Sequence, residues 1–411
     1  NQAVPLAMAS IADKPIIVPP EPGLMGAFGV ALEVGQRLDL GLMQKKSFSL
    51  TQLAAREVSY GREFTCKGGQ EKCDRKCTIT MIELEGRQFP FGGACNRYYN
   101  LRHHKKYDVT KLDLVRNRQE IIFGLPTAPA DKQPDPPQRG RIGFNRSFLV
   151  NTYYPFYARF FTQIGYAPVL ADKPSRVGIE QRNAAFCYPA ELAHGFFHSL
   201  IEGETPLDYI FLPHFKSIPL SNGNRSSQVC PLVQGETFYL QSTFRERLEQ
   251  LGQNGTRVMA PLLDLNQGLE KARAPLLRTA QRMGVDSKEA NKAFDMAVDC
   301  QQSGLAKMKR IGNQALAALE KDPNQIGVVI FSRPYNGLVD EAHMGIPAKF
   351  ASRGVMVIPL DFLPFEKEKA KRHMYWGMGE IIMKAARLVD RHPQLFGTFI
   401  TNFSCGPDSF I

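Results

Sequence analysis

From Arg141 onward the sequence alternates short apolar runs with helix-period segments, and this alternation restricts the fold more than any other feature. Arg141–Phe144 is short and apolar, Tyr153–Ile164 is an amphipathic aromatic helix, and Ala167–Leu170 is apolar again, which together make a βαβ unit. Pro189 opens a helix over Glu191–Glu202, and Leu207–Leu212 reads as a buried strand ending at Pro213. The segment Thr243–Lys321, rich in Ala, Leu, Arg and Gln, reads as two or three helices. Then the alternation resumes: strand Ile326–Phe331, helix Ala342–Arg353, strand Val355–Leu360, helix Trp376–Arg391, strand Thr398–Phe403. Strands separated by helices cannot pair through tight turns, and a mostly parallel sheet is the most economical arrangement for them. The expectation is an α/β fold with Rossmann-like, mostly parallel sheets in two lobes, 140–242 and 323–411, with a helical segment at 243–322 between them.

The part before Arg141 is different. Ile16-Ile-Val-Pro-Pro-Glu-Pro-Gly and Met25-Gly-Ala-Phe-Gly-Val-Ala-Leu suggest a short strand, a turn and a small-residue helix, the tail end of a larger domain over residues 1–40. Residues 60–100, within a segment at 41–130, are rich in Gly, Cys and charge with little apolar periodicity, as expected of a small region organised by a metal rather than by a core. Asp131–Arg141 is a linker by composition. With 43% hydrophobic and 22% charged residues, disorder, collagen and coiled coil are excluded. No apolar run approaches the roughly 18 residues of a membrane span. The N-terminus, Asn1-Gln-Ala-Val-Pro, lacks an initiator Met and a basic, apolar leader, which reads as a cytoplasmic fragment. The net charge of +11 favours acidic partners such as an acidic electron carrier, a phosphorylated cofactor or nucleic acid, and the dispersion of the basic residues argues against the last.

Four of the eight cysteines fall within thirty residues, Cys66, Cys73, Cys77 and Cys95, with Gly68, Gly69, Gly92 and Gly93 beside them to let the backbone turn around an ion. Four thiolates can close a tetrahedral zinc site or hold an iron–sulfur cluster, and this spacing selects neither. Three others share a context. Cys187 precedes a helix, Cys230 precedes Pro231, and Cys405 follows a strand and precedes Gly406-Pro407. Ligands sit at the carboxyl ends of parallel strands, so these three thiols could meet at one cluster; Pro and Gly are also ordinary turn residues. Cys300, mid-helix, reads as a small buried hydrophobe.

His194 and His198 share one helix face without an HExxH signature. His194 or Glu191 could donate a proton near Cys187, against the plainer reading of a core or solvated histidine. Arg333, in Ser332-Arg-Pro-Tyr-Asn after a strand, suits a phosphate or carboxylate or a structural ion pair. The aromatic run from Tyr153 to Phe161 suits a helix core. GxxxxGK[ST], GxGxxG and GxSxG are missing, which sets this stretch apart from nucleotide-hydrolysing and hydride-transferring enzymes.

Taken together, several segments resemble the large fused proteins related to the activators of 2-hydroxyacyl-CoA dehydratases. Asn1-Gln-Ala-Val and Met25-Gly-Ala-Phe-Gly-Val-Ala-Leu resemble the end of the activator's sugar-kinase-like ATPase domain, and Cys66–Cys95 is similar to the cysteine-rich link that follows it. Cys187-Tyr-Pro-Ala-Glu-Leu-Ala-His-Gly, Val229-Cys-Pro-Leu-Val, Ser332-Arg-Pro-Tyr-Asn and Ser404-Cys-Gly-Pro-Asp resemble the CYPAxLxHG, xCPxV, [AS]RPY and SxxCGxD segments. The resemblance implies an ATP-driven, low-potential electron-transfer system of anaerobes, in which an activator, fused or separate, injects an electron from a low-potential donor into an iron–sulfur component.

By matching position, Cys187, Cys230 and Cys405 would ligate a cluster of the [4Fe–4S] kind, with a double cubane as the variant that needs more ligands. Arg333 and Tyr335 would line the same pocket, with His194 and Glu191 behind it. The substrate would be a CoA thioester or another small molecule, and a homodimer is implied by resemblance alone. The ATPase motifs are missing from this stretch, and the fused proteins as a group imply no particular substrate. The rival reading is a non-catalytic scaffold or regulatory protein in which Cys66, Cys73, Cys77 and Cys95 hold zinc; a second cluster there is the other option.

Overall fold

The computed structural model describes residues 3–45, 47, 49–68, 75–124, 139–182, 187–220, 227–369, 373–402 and 405–411. Cys73, Gly69, residues 131–138 of the expected linker, Ala184-Ala-Phe before Cys187, and Ser404 lie outside the described residues. The chain divides into two compact units, Asn1–Phe64 with Thr80–Phe91, and Thr65–Ile79 with Gly92–Ile411.

The first unit carries helices α1 (Ala3–Ala12), α2 (Met25–Asp39) and α3 (Leu50–Ala54). The strand expected near Ile16 does not form, because Pro15, Pro19, Pro20 and Pro22 deny the backbone the donors a ladder needs. Strands β1 (Val58–Thr65), β2 (Thr78–Leu84) and β3 (Arg87–Gly92) form a sheet in that order. A segment with little apolar periodicity is thus still held by strand pairing.

In the second unit, short helices α4 (Arg97–Arg102) and α5 (Val109–Leu112) lead to α6 (Leu114–Gly124). The first parallel sheet has the order β5-β4-β6-β8, with β4 Gly140–Phe144, β5 Tyr166–Leu170, β6 Tyr209–Phe211 and β8 Arg257–Met259. Its partner has the order β11-β10-β12, with β10 Gly327–Phe331, β11 Met356–Pro359 and β12 Leu395–Phe399, again all parallel. The fold is therefore α/β with parallel sheets, as the alternation predicts. In each sheet the chain first steps to one side and then crosses to the other, so β4/β6 and β10/β12 are switch points where crevices open beyond the strand ends.

Two strands appear where only helices are expected. β8, and β9 (Leu262–Asp264), lie inside 243–322 because Gly255 and Gly268, both at positive φ, fence off a short apolar run from the helices on either side. β9 pairs with β7 (His214–Ser217) and extends the first sheet past Pro213 and Pro261. The other helices are α7 (Val150–Gln163), α8 (Arg176–Glu180), α9 (Tyr188–Ile201), α10 (Pro231–Gln234), α11 (Glu236–Thr243), α12 (Arg245–Gln253), α13 (Arg273–Arg282), α14 (Ser287–Lys321), α15 (Ile346–Ala351) and α16 (Gly377–Asp390).

The aromatic run on α7 is core. Tyr157 and Phe161 pack on Phe144 of β4 and Phe211 of β6, and Phe156 meets Phe294 of α14 edge-on. The helix starts three residues earlier than its periodicity indicates, which puts Pro155 in its interior. A proline there leaves the Asn151 carbonyl without its helical donor. Arg118 from α6, 1% exposed, supplies one through Nη1 at 3.1 Å, while its Nε donates to Asp361 at 2.7 Å. Among the described residues no helix is long and apolar enough to cross a membrane.

Candidate functional site

Cys187, Cys230 and Cys405 each stand where irregular backbone turns into a proline-led helical turn. Cys187 is the N-cap of α9 with extended backbone, and its carbonyl accepts from Ala190 and Glu191. Cys230 caps α10 at φ −54° and accepts from Val233 and Gln234. Cys405 precedes the 3-10 turn Pro407–Phe410 and accepts from Ser409. Proline costs nothing at these starts, where its missing N–H would have no helical partner.

The three thiols are near enough to act on one another. Burial pushes the Cys187 thiol up to about 11, partly offset by the Ala190 N–H, and Cys230, Cys405 and Glu191 add to the rise. Burial also raises Cys405, with Asp408 raising and Arg333 lowering it. Tyr335 from the turn after β10 is raised by burial, opposed by Arg333, with Cys230 and Cys405 adding to the rise. Tyr335 and Arg333 thus lie on the side of the second switch point, β10/β12, from which Cys405 also comes.

Arg333 is 3% exposed. Burial works against its charge, but Tyr335, Asp408 and Cys405 outweigh that, and its Nε donates to Asp408 Oδ1 at 2.7 Å. Asp408 also accepts from Thr401, fastening the last turn to the end of β12. Arg333 Nη2 is 2.6 Å from the same carboxylate oxygen, completing a buried ion pair.

His194 is set back from the thiols. Its Nδ1 is 2.8 Å from the Ala190 carbonyl, and its ring stacks on Tyr239 at 5.2 Å between centroids. Burial and then Arg182 lower its pKa against Ala190 and Glu191, so the ring is neutral at pH 7 with Nδ1 as the donor. Glu191 lies 3.4 Å from Arg182. His198, one turn on, stacks edge-on against Phe244. Cys300 is half-buried on α14, its thiol raised by burial.

Sequence reasoning misses Tyr239 and Glu236, both on α11. Burial raises the Tyr239 phenol, with Glu236, Cys187, Cys230 and Tyr335 adding, and its buried hydroxyl has no hydrogen-bond partner among the described residues. It stands at the centre of the group. Glu236 is fully buried and accepts from Asn145 at 2.9 Å and from Ser147, both in the turn after β4. Burial pushes its carboxyl up to about 7 against those two hydrogen bonds. One signal was available: Glu236 is the only charged residue between Val229 and Phe244.

Among the described residues no three His, Cys, Asp or Glu side chains converge tightly enough to hold a single metal ion. A polynuclear cluster spreads its thiolates farther apart than one ion does. Three neighbouring thiols, with the buried guanidinium of Arg333 and the unmatched hydroxyl of Tyr239, form a set that fits an anionic, sulfur-rich group.

Of the N-terminal cysteines, Cys66, Cys77 and Cys95 are among the described residues. The Cys66 N–H donates to the Cys77 carbonyl at 2.8 Å, and the Gly68 N–H lies 3.5 Å from Cys66 Sγ. A hydrogen bond from Tyr98, then Gly68 and Arg97, hold the Cys66 thiol below its ordinary value against burial. Cys95 acts on the same Tyr98. A thiol so supported suits a ligand.

No curated protein and no solved structure matches this chain. Residues 141–363, more than half of it, match the model of the CoA enzyme activase uncharacterised domain. They take in β4 to β11 and with them Cys187, Cys230 and Arg333, so the chain belongs to the CoA enzyme activase-related family.

Proposed function

We propose that this chain is the iron–sulfur electron-transfer or reductase component of an ATP-dependent 2-hydroxyacyl-CoA dehydratase-like system, with the cluster held by Cys187, Cys230 and Cys405. The observation that carries the reading is that Cys187, Cys230 and Cys405 stand at three proline-led turns, with Cys230 and Cys405 both near enough to act on the Cys187 thiol and on Tyr335, in a chain of an activase-related family. Such a group, when bound, supplies a low-potential electron, and an iron without a thiolate could bind a substrate oxygen. Arg333, kept charged by Asp408, offsets thiolate charge. Tyr335 and Tyr239 exclude water. His194, neutral and stacked on Tyr239, and Glu191 act behind them.

In this reading residues 140–242 and 323–411 are two dehydratase-like lobes, 243–322 is a mainly helical insertion, and 1–40 ends an ATPase domain. Electrons come from a low-potential donor through the activator, in the cytoplasm, with a homodimer as the assembly. Cys66, Cys73, Cys77 and Cys95 hold a zinc or a second cluster, a role favoured by the depressed Cys66 thiol.

Iron, zinc and acid-labile sulfide per chain, measured on anaerobically purified protein, test this. The expected result is about four iron and four sulfide, lost in the Cys187→Ser/Cys230→Ser/Cys405→Ser variant while zinc or iron at the N-terminal cysteines persists. About one zinc per chain without sulfide, unchanged in the variant, would favour the zinc-organised scaffold.

A further inference from the structure

A cavity of about 440 Å³ lies beyond the carboxyl ends of both parallel sheets, between α7, α14, α16 and the turns after β7, β10 and β11. That volume is within the range of small-molecule sites. Most of its wall is apolar, including Leu149, Ile218, Leu338, Phe365 and Met378. One end carries the polar residues left over from the Pro155 kink. Gln301, 2% exposed, gives its Nε2 to the Thr152 carbonyl at 3.0 Å, which leaves Oε1 buried and unmatched. Thr152 Oγ1, Asp361 Oδ1 and the Nη2 of Arg118, the partner of Asp361, are also buried without hydrogen bonds. Three unmatched polar atoms, on Gln301, Thr152 and Asp361, line one end of an apolar cavity, with the Arg118 guanidinium behind Asp361; a closed core leaves few such groups.

The charges of the wall are already engaged, Asp361 with Arg118 and Lys309 with Glu366, and the buried Lys384 also has a partner, so a charged ligand would have to break a pair. What remains on the wall is acceptors on Gln301 and Asp361 and a hydroxyl on Thr152 that can donate or accept. We propose that this cavity binds an uncharged amphipathic small molecule whose amide-like head, donor beside acceptor, meets Gln301, Thr152 and Asp361 and whose apolar tail fills the rest. The proposal stands without the iron–sulfur reading. If both hold, the ligand is separated from the thiols by the Tyr335–Phe148 edge-on pair, since Pro334 and Leu149 line the cavity next to these two residues.

The test is calorimetric titration of the full chain with pentanamide, hexanamide and octanamide, and with octanoate. Each buried methylene is expected to tighten binding about threefold to fourfold, and octanamide should bind more tightly than octanoate. Ala306→Trp, an exposed α14 position on the cavity wall, should abolish binding with an unchanged melting temperature. Gln301→Met should erase the preference for octanamide over octanoate while keeping the dependence on chain length. Absence of saturable binding by all the amides, or binding that Ala306→Trp leaves intact, would overturn the proposal, as would tighter binding of octanoate than of octanamide.

Discussion

Glu236 shows how one buried carboxyl sets a pH dependence. Its folded pKa of about 7 lies above the ordinary 4.5, so the folded state binds a proton that the unfolded state has released between those two values. Stability is therefore unpenalised below about pH 4.5, falls as pH rises through that window, and above pH 7 carries a cost of roughly 3 kcal/mol. Asp113, pushed up to about 6 by burial, against His343, the Val115 N–H and Arg116, has the same sign. In denaturant titrations from pH 4 to pH 8, Glu236→Gln should remove most of the Glu236 slope while the Asp113 part remains; parallel curves for the two proteins would refute the assignment. Little of this was legible in the sequence. A lone charge in an apolar stretch flags Glu236, but only the fold brings Asn145 and Ser147, some ninety residues earlier, onto its oxygens. Tyr239 gave no signal at all, because nothing in a helical tyrosine tells which neighbours it will meet. Cys187, Cys230 and Cys405 were legible because each is marked by a proline that starts the following turn.

The elements were read correctly where apolar period and punctuation agree, as in β4, β10, α9 and α16, and misread where one outweighed the other. Periodicity in α7 runs through Pro155, and its early start is possible because Arg118 replaces the missing donor, a contact from another helix. In α14 the buried residues Ala290, Ala293, Ala297, Gln301, Gly304, Met308, Gly312, Ala315 and Leu319 recur at helical spacing, and the small ones admit close neighbours. Gly312 is the extreme case. A Cβ there would come within 2.1 Å of the Phe362 carbonyl oxygen, whereas at Gly252 on α12 it would meet nothing within 4 Å. Alanine in place of a helical glycine ordinarily gains about 0.5–1 kcal/mol. That gain is expected for Gly252→Ala, while Gly312→Ala should lose about 1–3 kcal/mol because backbone must move. Urea midpoints of the two variants check the contrast, and a stabilised Gly312→Ala would show that α14 does not sit this close to the turn after β11.

Across the second unit, α14 joins the two parallel sheets. Its 35 residues span about 50 Å. The first half packs on α7 through Phe294 and Gln301, and the second half lies on Leu360–Phe362 through Gly312. Phe144 of the first sheet, Val329 of the second and Met308 between them belong to one continuous core cluster. The sequence shows two stretches of alternating strands and helices but not the core they share, because periodicity identifies a buried face without naming what covers it. Since neither lobe can lose α14 without opening its own core, the two should unfold as one cooperative body. Hydrogen exchange at the β10 amides Val328–Ile330 reports on the second lobe, and at the β4 amides Ile142–Phe144 on the first. In urea both should give the same midpoint. Met308→Ala, a large-to-small change at a side chain 1% exposed, should lower both midpoints together by an amount worth about 2–5 kcal/mol. A β4 transition that stays in place while the β10 transition moves would mean that the lobes fold independently and that α14 serves only one of them.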